Sequence, residues 1–204
     1  MDSVVPRIVL ASSSPRRKML LHQLDIPFDI RVSEIDETIQ GDIPAEEFAR
    51  RLAFEKAEAI ARSLTDTIVI GADTIVVDER GILGKPQHEQ EAFQMLQRLS
   101  GKVHRVITGV AVISTYLPQN ALVNHETTQV KIAALSDRDI QCYIHTGEPL
   151  DKAGAYAIQG KGAMFVEWIH GCYNNVVGLP LFLLIRMLKN ITHSTNMSCG
   201  HLLS

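Results

Sequence analysis

Apolar and polar positions follow two periods along this chain. Arg7 to Ala11 and Phe28 to Ser33 read as short strands, and Ile68–Val77 is an almost unbroken β-branched run that reads as a buried strand. Between them a segment opened by Pro44 places Phe48, Ala49, Leu52, Ala53, Ala59 and Ile60 on one stripe at ~100° per residue, which predicts a helix to about Arg62. Ser12-Ser13-Ser14-Pro15 is a turn that opens another helix, with Ser14 as N-cap and Pro15 in the first helical position.

The pattern continues in the second half. Asp78-Glu79-Arg80-Gly81 is a turn, and the chain then returns through Ile82 to Pro86. A helix is expected from about His88 to Leu99, then two pairing strands over Val103–Ser114 and Val123–Ala134. Ser136 to Asp139 looks like a capping box for a helix to about Thr146. A glycine-rich stretch, Gly154 to Gly162, precedes a strand over Ala163–Ile169, and Pro180–Leu188 opens a last helix. Interleaved strands and helices with hairpin-like pairs predict an α/β domain with a mixed sheet.

Composition narrows the functional classes. The 204 residues suffice for one domain, and 46% apolar content supports a real core. A net charge of −3 gives no general pull toward nucleic acid or an anionic membrane, so any anion site is a local basic cluster. The apolar run Leu179 to Leu188 is far short of the ~20 residues that a membrane span needs. Pro6 and Arg7 precede any apolar segment, so no signal peptide is expected. Cys142, Cys172 and Cys199 lie far apart with no Cys-x-x-Cys pair, which points to a reducing cytoplasm. The histidines show no His-x-x-x-His spacing, which argues against a zinc site.

Six sets of residues stand out chemically. Asp73 interrupts the apolar strand, and a carboxylate there needs a polar surrounding or a cation; Gly71, on the same strand face, leaves room beside it. Arg16, Arg17 and Lys18 crowd the first turn of a helix, where cations are unfavourable by ~0.3–1 kcal/mol each unless an anion binds. With Ser12 they make a phosphate cradle or, equally, a solvated basic turn. Lys56 falls in the apolar stripe of the Pro44 helix, so it either snorkels to water or meets an anion.

Glu34 sits at a strand end in an acidic loop and could join Asp73 in holding a divalent cation through oxygen. Lys85, between Gly84 and Pro86, is either aimed with little slack or simply solvated. In Asp151 to Gly160, Tyr156 and Gln159 offer groups that suit a nucleobase edge, unless the segment is only a packed turn.

Leu10-Ala11-Ser12-Ser13-Ser14-Pro15-Arg16-Arg17, Gly71-Ala72-Asp73-Thr74, Gly84-Lys85-Pro86 and Asp151-Lys152-Ala153-Gly154-Ala155-Tyr156, in that order, resemble the Maf family of nucleoside triphosphate pyrophosphatases, also called septum-formation proteins. The resemblance runs from about Ile8 to Leu188. It implies an elongated, mixed-sheet α/β fold of the inosine-triphosphatase type, with flanking helices and two lobes around a deep cleft. One such domain would span residues 1–191, and 192–204 would be a polar, disordered tail.

The resemblance also implies hydrolysis of a nucleoside triphosphate to the monophosphate and pyrophosphate with a divalent cation, Mg²⁺ or Mn²⁺. Asp73 would be the catalytic carboxylate, with Arg17, Lys56 and Lys85 as its cationic partners. Glu34 and Asp73 would bind the metal. Ser12, Arg16, Thr74 and Gln159 match positions that bind substrate or choose the base. The segment Ala155 to Gly160 looks like that of the branch preferring dTTP and UTP, with Ala157 where glycine is frequent. A homodimer is the assembly that the family suggests, with no nucleic-acid or membrane partner. The competing reading is a nucleotide-sensing regulator of septum formation.

Overall fold

The computed structural model describes residues 6–33, 35, 43–116 and 120–194. The chain begins with a strand, a helix and a parallel return: β1 (Arg7–Leu10), α1 (Pro15–His22) and β2 (Asp29–Ile30). Ser14 caps α1 by accepting a hydrogen bond from the Arg17 amide, and Pro15 occupies the first turn, where its missing N–H is not needed. Then come α2 (Ala45–Ala61), β3 (Thr67–Asp78), β4 (Gly81–Leu83), α3 (Glu89–Leu99), β5 (Val103–Ser114) and β6 (Asn120–Ile132). The chain continues with α4 (Asp137–Ile144), three 3₁₀ turns, β7 (Val166–His170), α5 (Tyr173–Val177) and α6 (Leu181–Ser194).

The strands form one seven-stranded mixed sheet in the order β2-β1-β3-β5-β6-β7, with β4 paired to β3. Both β2 and β3 run parallel to β1, with Leu10 opposite Ile70 in the β1–β3 pair. β4 and β7 are antiparallel to β3 and β6. The α/β mixed sheet with flanking helices expected from the sequence is borne out.

The chain divides into two compact units, with β3, β5 and β6 each shared between them. The first contains residues up to Asp73, Thr108–Glu126 and the segment from Gly178. Its core includes a layer of small side chains: Ala53, Ala57 and Ala61 of α2 pack on Val9, Ala11, Val69 and Ala111. Small residues let the helix backbone come down onto the sheet. A Cβ at Gly71 would stand 2.2 Å from the Ala53 carbonyl oxygen, and one at Gly109 would stand 2.1 Å from that of Ala49. The second unit holds Thr74–Ile107 and Thr127–Val177. Its core joins Ala92, Met95, Leu96 and Leu99 of α3 to Ile140, Tyr143 and Ile144 of α4, with Tyr156 and Phe165 from the turns.

Several expected boundaries move. The strand expected over Phe28–Ser33 shrinks to Asp29–Ile30, an edge strand; Ile30 in it and Val32 beyond it are exposed and so lack a core to fix them. The strand expected from Ala163 begins at Val166, because Lys161–Phe165 forms a 3₁₀ turn. The Ser136 capping box is present, but its helix ends at Ile144. α6 continues past Leu188 and past the Thr192 start of the expected tail; Thr192 is buried and its hydroxyl donates to the Leu188 carbonyl at 2.9 Å.

Candidate active site

The parallel strands define where chemistry can be built. From β1 the chain crosses to β2 on one side, while β3 lies on the other side of β1. Crevices beyond the carboxyl ends of strands, where the order reverses in this way, are preferred ligand positions in open α/β sheets. The Ala11 amide donates to the Ile70 carbonyl at 2.8 Å, after which the chain leaves the sheet as Ser12-Ser13-Ser14. This register brings the Ser12 turn and the N-terminus of α1 beside the Gly71-Ala72-Asp73 stretch of β3.

Asp73 is 7% exposed and Lys56 is 8% exposed. The Lys56 Nζ donates to Asp73 Oδ1 at 2.5 Å. The reason is local. Ala49, Ala53 and Ala57 lie one above another on α2, the first two seat over Gly109 and Gly71, and Lys56 follows on the same side. Asp73 lies two residues beyond Gly71, on the same strand face. The close approach at Gly71 therefore sets the Lys56 ammonium against the Asp73 carboxylate. The alternative that Lys56 snorkels to solvent is overturned by this contact.

The Ser12 turn is ordered by its own hydroxyls. Ser12 Oγ accepts from the Ser14 amide at 3.2 Å and from Arg17 Nη1 at 3.3 Å. Arg17 Nε donates to the Gly178 carbonyl at 2.8 Å, so the guanidinium spans from the α1 turn to the segment before α6. The Gly178 carbonyl was not evident from sequence; the Gly-Leu-Pro break before the last helix was its one trace. Arg16 is half-buried and Lys18 exposed. Within this unit the fold thus brings Lys56 to Asp73 and Ser12 to Arg17.

The remaining expected residues belong to the second unit or lie outside the described residues. Thr74 opens the second unit and is half-buried. Lys85 is exposed, after a Gly84 whose carbonyl accepts from the Gly154 amide at 3.0 Å. Gln159 is exposed in the turn segment. Glu34 lies outside the described residues.

A buried carboxylate–ammonium pair and a serine-rich, arginine-bearing helix start are the chemistry that this α/β protein gathers in one unit. The comparisons agree in fold and in sequence. The Staphylococcus aureus Ham1 protein superimposes with a TM-score of 0.50 at 15% identity, covering 90% of this chain and 98% of that one. The family model for Maf-like proteins matches residues 7–191. A relative from Caldicellulosiruptor saccharolyticus named dTTP/UTP pyrophosphatase is 52% identical over 189 residues, 91% of this chain and 94% of that protein. One of the same name from Bacillus cereus is 50% identical over 192 residues, 92% of this chain and 99% of its own length. The chain belongs to the Maf-like family.

Proposed function

We propose that this chain is a nucleoside triphosphate pyrophosphatase that hydrolyses dTTP and UTP to the monophosphate and pyrophosphate. The observation that carries the reading is the Lys56–Asp73 pair, in a family member about half identical to proteins named for that activity. Water attacks the α-phosphorus, the bond from it to the α–β bridging oxygen breaks, and pyrophosphate leaves with that oxygen. Asp73 either takes the proton of this water or, with Glu34, would hold a divalent cation; Lys56 fixes the carboxylate through Oδ1 and leaves the other oxygen for one of these two roles. Arg17, pinned by Ser12 and Gly178, and Lys85, whose role comes from the family pattern, balance charge on the phosphoryl group and the leaving pyrophosphate.

The donor chemistry suits a hard cation such as Mg²⁺ or Mn²⁺. Among the described residues no three His, Cys, Asp or Glu side chains gather into a cage. Mg²⁺ in phosphoryl-transfer sites characteristically uses one or two carboxylates plus substrate oxygens and water. Asp73 and Glu34 would hold it, and when bound it neutralises phosphate charge. Ser12 supports the phosphate turn, while Arg16, Thr74 and Gln159 choose the base. No described helix is long and apolar enough to cross a membrane. We place the protein in the cytoplasm, as a homodimer without nucleic-acid partners.

A panel of canonical and modified triphosphates, scored for pyrophosphate release with Mg²⁺, Mn²⁺ or EDTA, tests this. Rapid release from dTTP and UTP that EDTA abolishes is expected. Tight retention of nucleotide without turnover would instead make the chain a sensor.

A further inference from the structure

Gln159 sits in a segment held from both sides by two side chains that the proposed reaction does not use. On one side, the Tyr143 hydroxyl accepts from the Ala157 amide at 3.2 Å. On the other, the Glu148 carboxylate accepts from the Lys161 amide at 2.9 Å and the Gly162 amide at 3.1 Å. The two holders are joined: Tyr143 Oη donates to Glu148 Oε1 at 2.7 Å. Tyr143 is itself fixed in the core, edge-on to Phe165 with ring centroids 5.1 Å apart. Inside the segment, the Gly160 amide donates to the Ala157 carbonyl at 3.2 Å and the Ala163 amide to the Gly160 carbonyl at 3.1 Å.

The fit is close enough to dictate sequence. A Cβ at position 160 would stand 2.4 Å from both Glu148 oxygens, and one at position 162 would stand 2.7 Å from the Tyr143 hydroxyl. Glycine at both positions is what lets the carboxylate and the phenol reach the backbone. Burial raises the Glu148 carboxyl, but hydrogen bonds from Lys161, Tyr143 and Gly162 and the Lys152 charge outweigh it and hold it below the usual range. Burial and the neighbouring Glu148 push the Tyr143 phenol up, so it stays a donor.

This matters because glutamine is an ambiguous reader. A primary amide has a donor end and an acceptor end. It matches the uracil or thymine edge in one orientation and the cytosine edge when flipped. It discriminates only where the backbone that carries it is fixed. We infer that Glu148 and Tyr143 are positioning residues for base choice: they clamp residues 157–162 so that Gln159 presents its amide to a uracil or thymine edge and not to cytosine or a purine. This inference rests on the pyrophosphatase reading and deepens it.

The test compares wild type, Glu148→Gln, Tyr143→Phe, Gln159→Ala and the Glu148→Gln/Gln159→Ala double variant. The readout is kcat/KM for pyrophosphate release from UTP, dTTP, CTP and ATP. Glu148→Gln places an amide donor against a backbone N–H; Tyr143→Phe removes only the hydroxyl and keeps the ring, so it carries the test if the first variant does not fold. Both should lower the UTP/CTP and UTP/ATP ratios about tenfold, the scale on which modest misplacement erodes specificity. The double variant should lose no more selectivity than Gln159→Ala alone, because one residue acts through the other. Parallel losses on all four substrates, or additive losses in the double variant, overturn the inference while leaving the pyrophosphatase intact. A wild type that releases pyrophosphate from none of the four overturns both.

Discussion

The Lys56 ammonium and the Asp73 carboxylate stand 2.5 Å apart with about 10% of each side chain exposed. At that depth neither charge can rely on water, and each is the other's neutralising partner. The contact joins a helix to a strand whose backbones approach closely at Gly71. Geometry at the pair is thus tied to packing, and packing faults should be read out as chemistry.

Replacing Asp73 with Asn keeps an acceptor for Lys56 but removes the base and the charge. Pyrophosphate release from UTP should fall by on the order of 10²–10⁴, the usual worth of a positioned proton acceptor. Stability should fall too, by up to about 3 kcal/mol, because the buried Lys56 ammonium loses its charged partner on β3. Single-turnover assays and urea unfolding give the two numbers. Wild-type turnover in this variant would remove Asp73 from the reaction.

The pair should be strongly non-additive. Lys56→Met strands the carboxylate and should destabilise by about 3 kcal/mol. Adding Asp73→Asn to it should restore part of the loss, with a coupling energy of roughly 0.5–3 kcal/mol. A double-mutant cycle in urea measures this. Independent, simply summed effects would mean that the contact contributes nothing to folding.

Gly71→Ala and Gly109→Ala should each cost about 1–3 kcal/mol or more, as overpacking does, since the new methyl meets helix backbone that has no rotamer to yield. Activity per folded molecule should drop in Gly71→Ala, because lifting α2 draws Lys56 from Asp73. Gly84→Ala is the control: no atom lies within 4 Å of its Cβ position, so stability should change by less than about 0.5 kcal/mol. Thermal melts of the three variants suffice, and equal shifts would refute the packing argument.

Much of this was legible in the sequence because it is local. The Ser14 cap, the Pro15 start, the length of β3 and the Ser136 capping box are written in neighbouring residues. Lys56 and Asp73 were each visible as a charge in an apolar pattern, but their meeting depends on which strand α2 covers, which no window of sequence contains. The strand expected at Ala163 failed for a similar reason: Lys161 and Gly162 give their amides to Glu148, far back in the chain, and the backbone turns instead. α5, anchored by Asn175 to the Val106 carbonyl and Thr128, is too short to leave a helical period.

A last prediction concerns acid. His104 is buried in the second unit, with Nε2 2.8 Å from the Tyr156 hydroxyl. Burial lowers its pKa from 6.5 to about 4, against a weaker opposing pull from Asp78. In the unfolded chain the ring takes a proton near pH 6.5, whereas the folded protein resists until about pH 4. Between those values the unfolded state holds more protons, so stability falls as pH falls. The contribution is fully present above about pH 6.5; at ~1.36 kcal/mol per pH unit its loss by pH 4 is worth about 3 kcal/mol. His104→Gln keeps a polar partner for Tyr156 but cannot titrate. Urea unfolding at a series of pH values should show the wild-type slope between 6.5 and 4.5 flattened in the variant. An unchanged slope would mean that His104 does not carry the acid sensitivity of this window; the Asp78 and Glu148 carboxyls, held below their ordinary 3.8 and 4.5, lose their contribution only at lower pH.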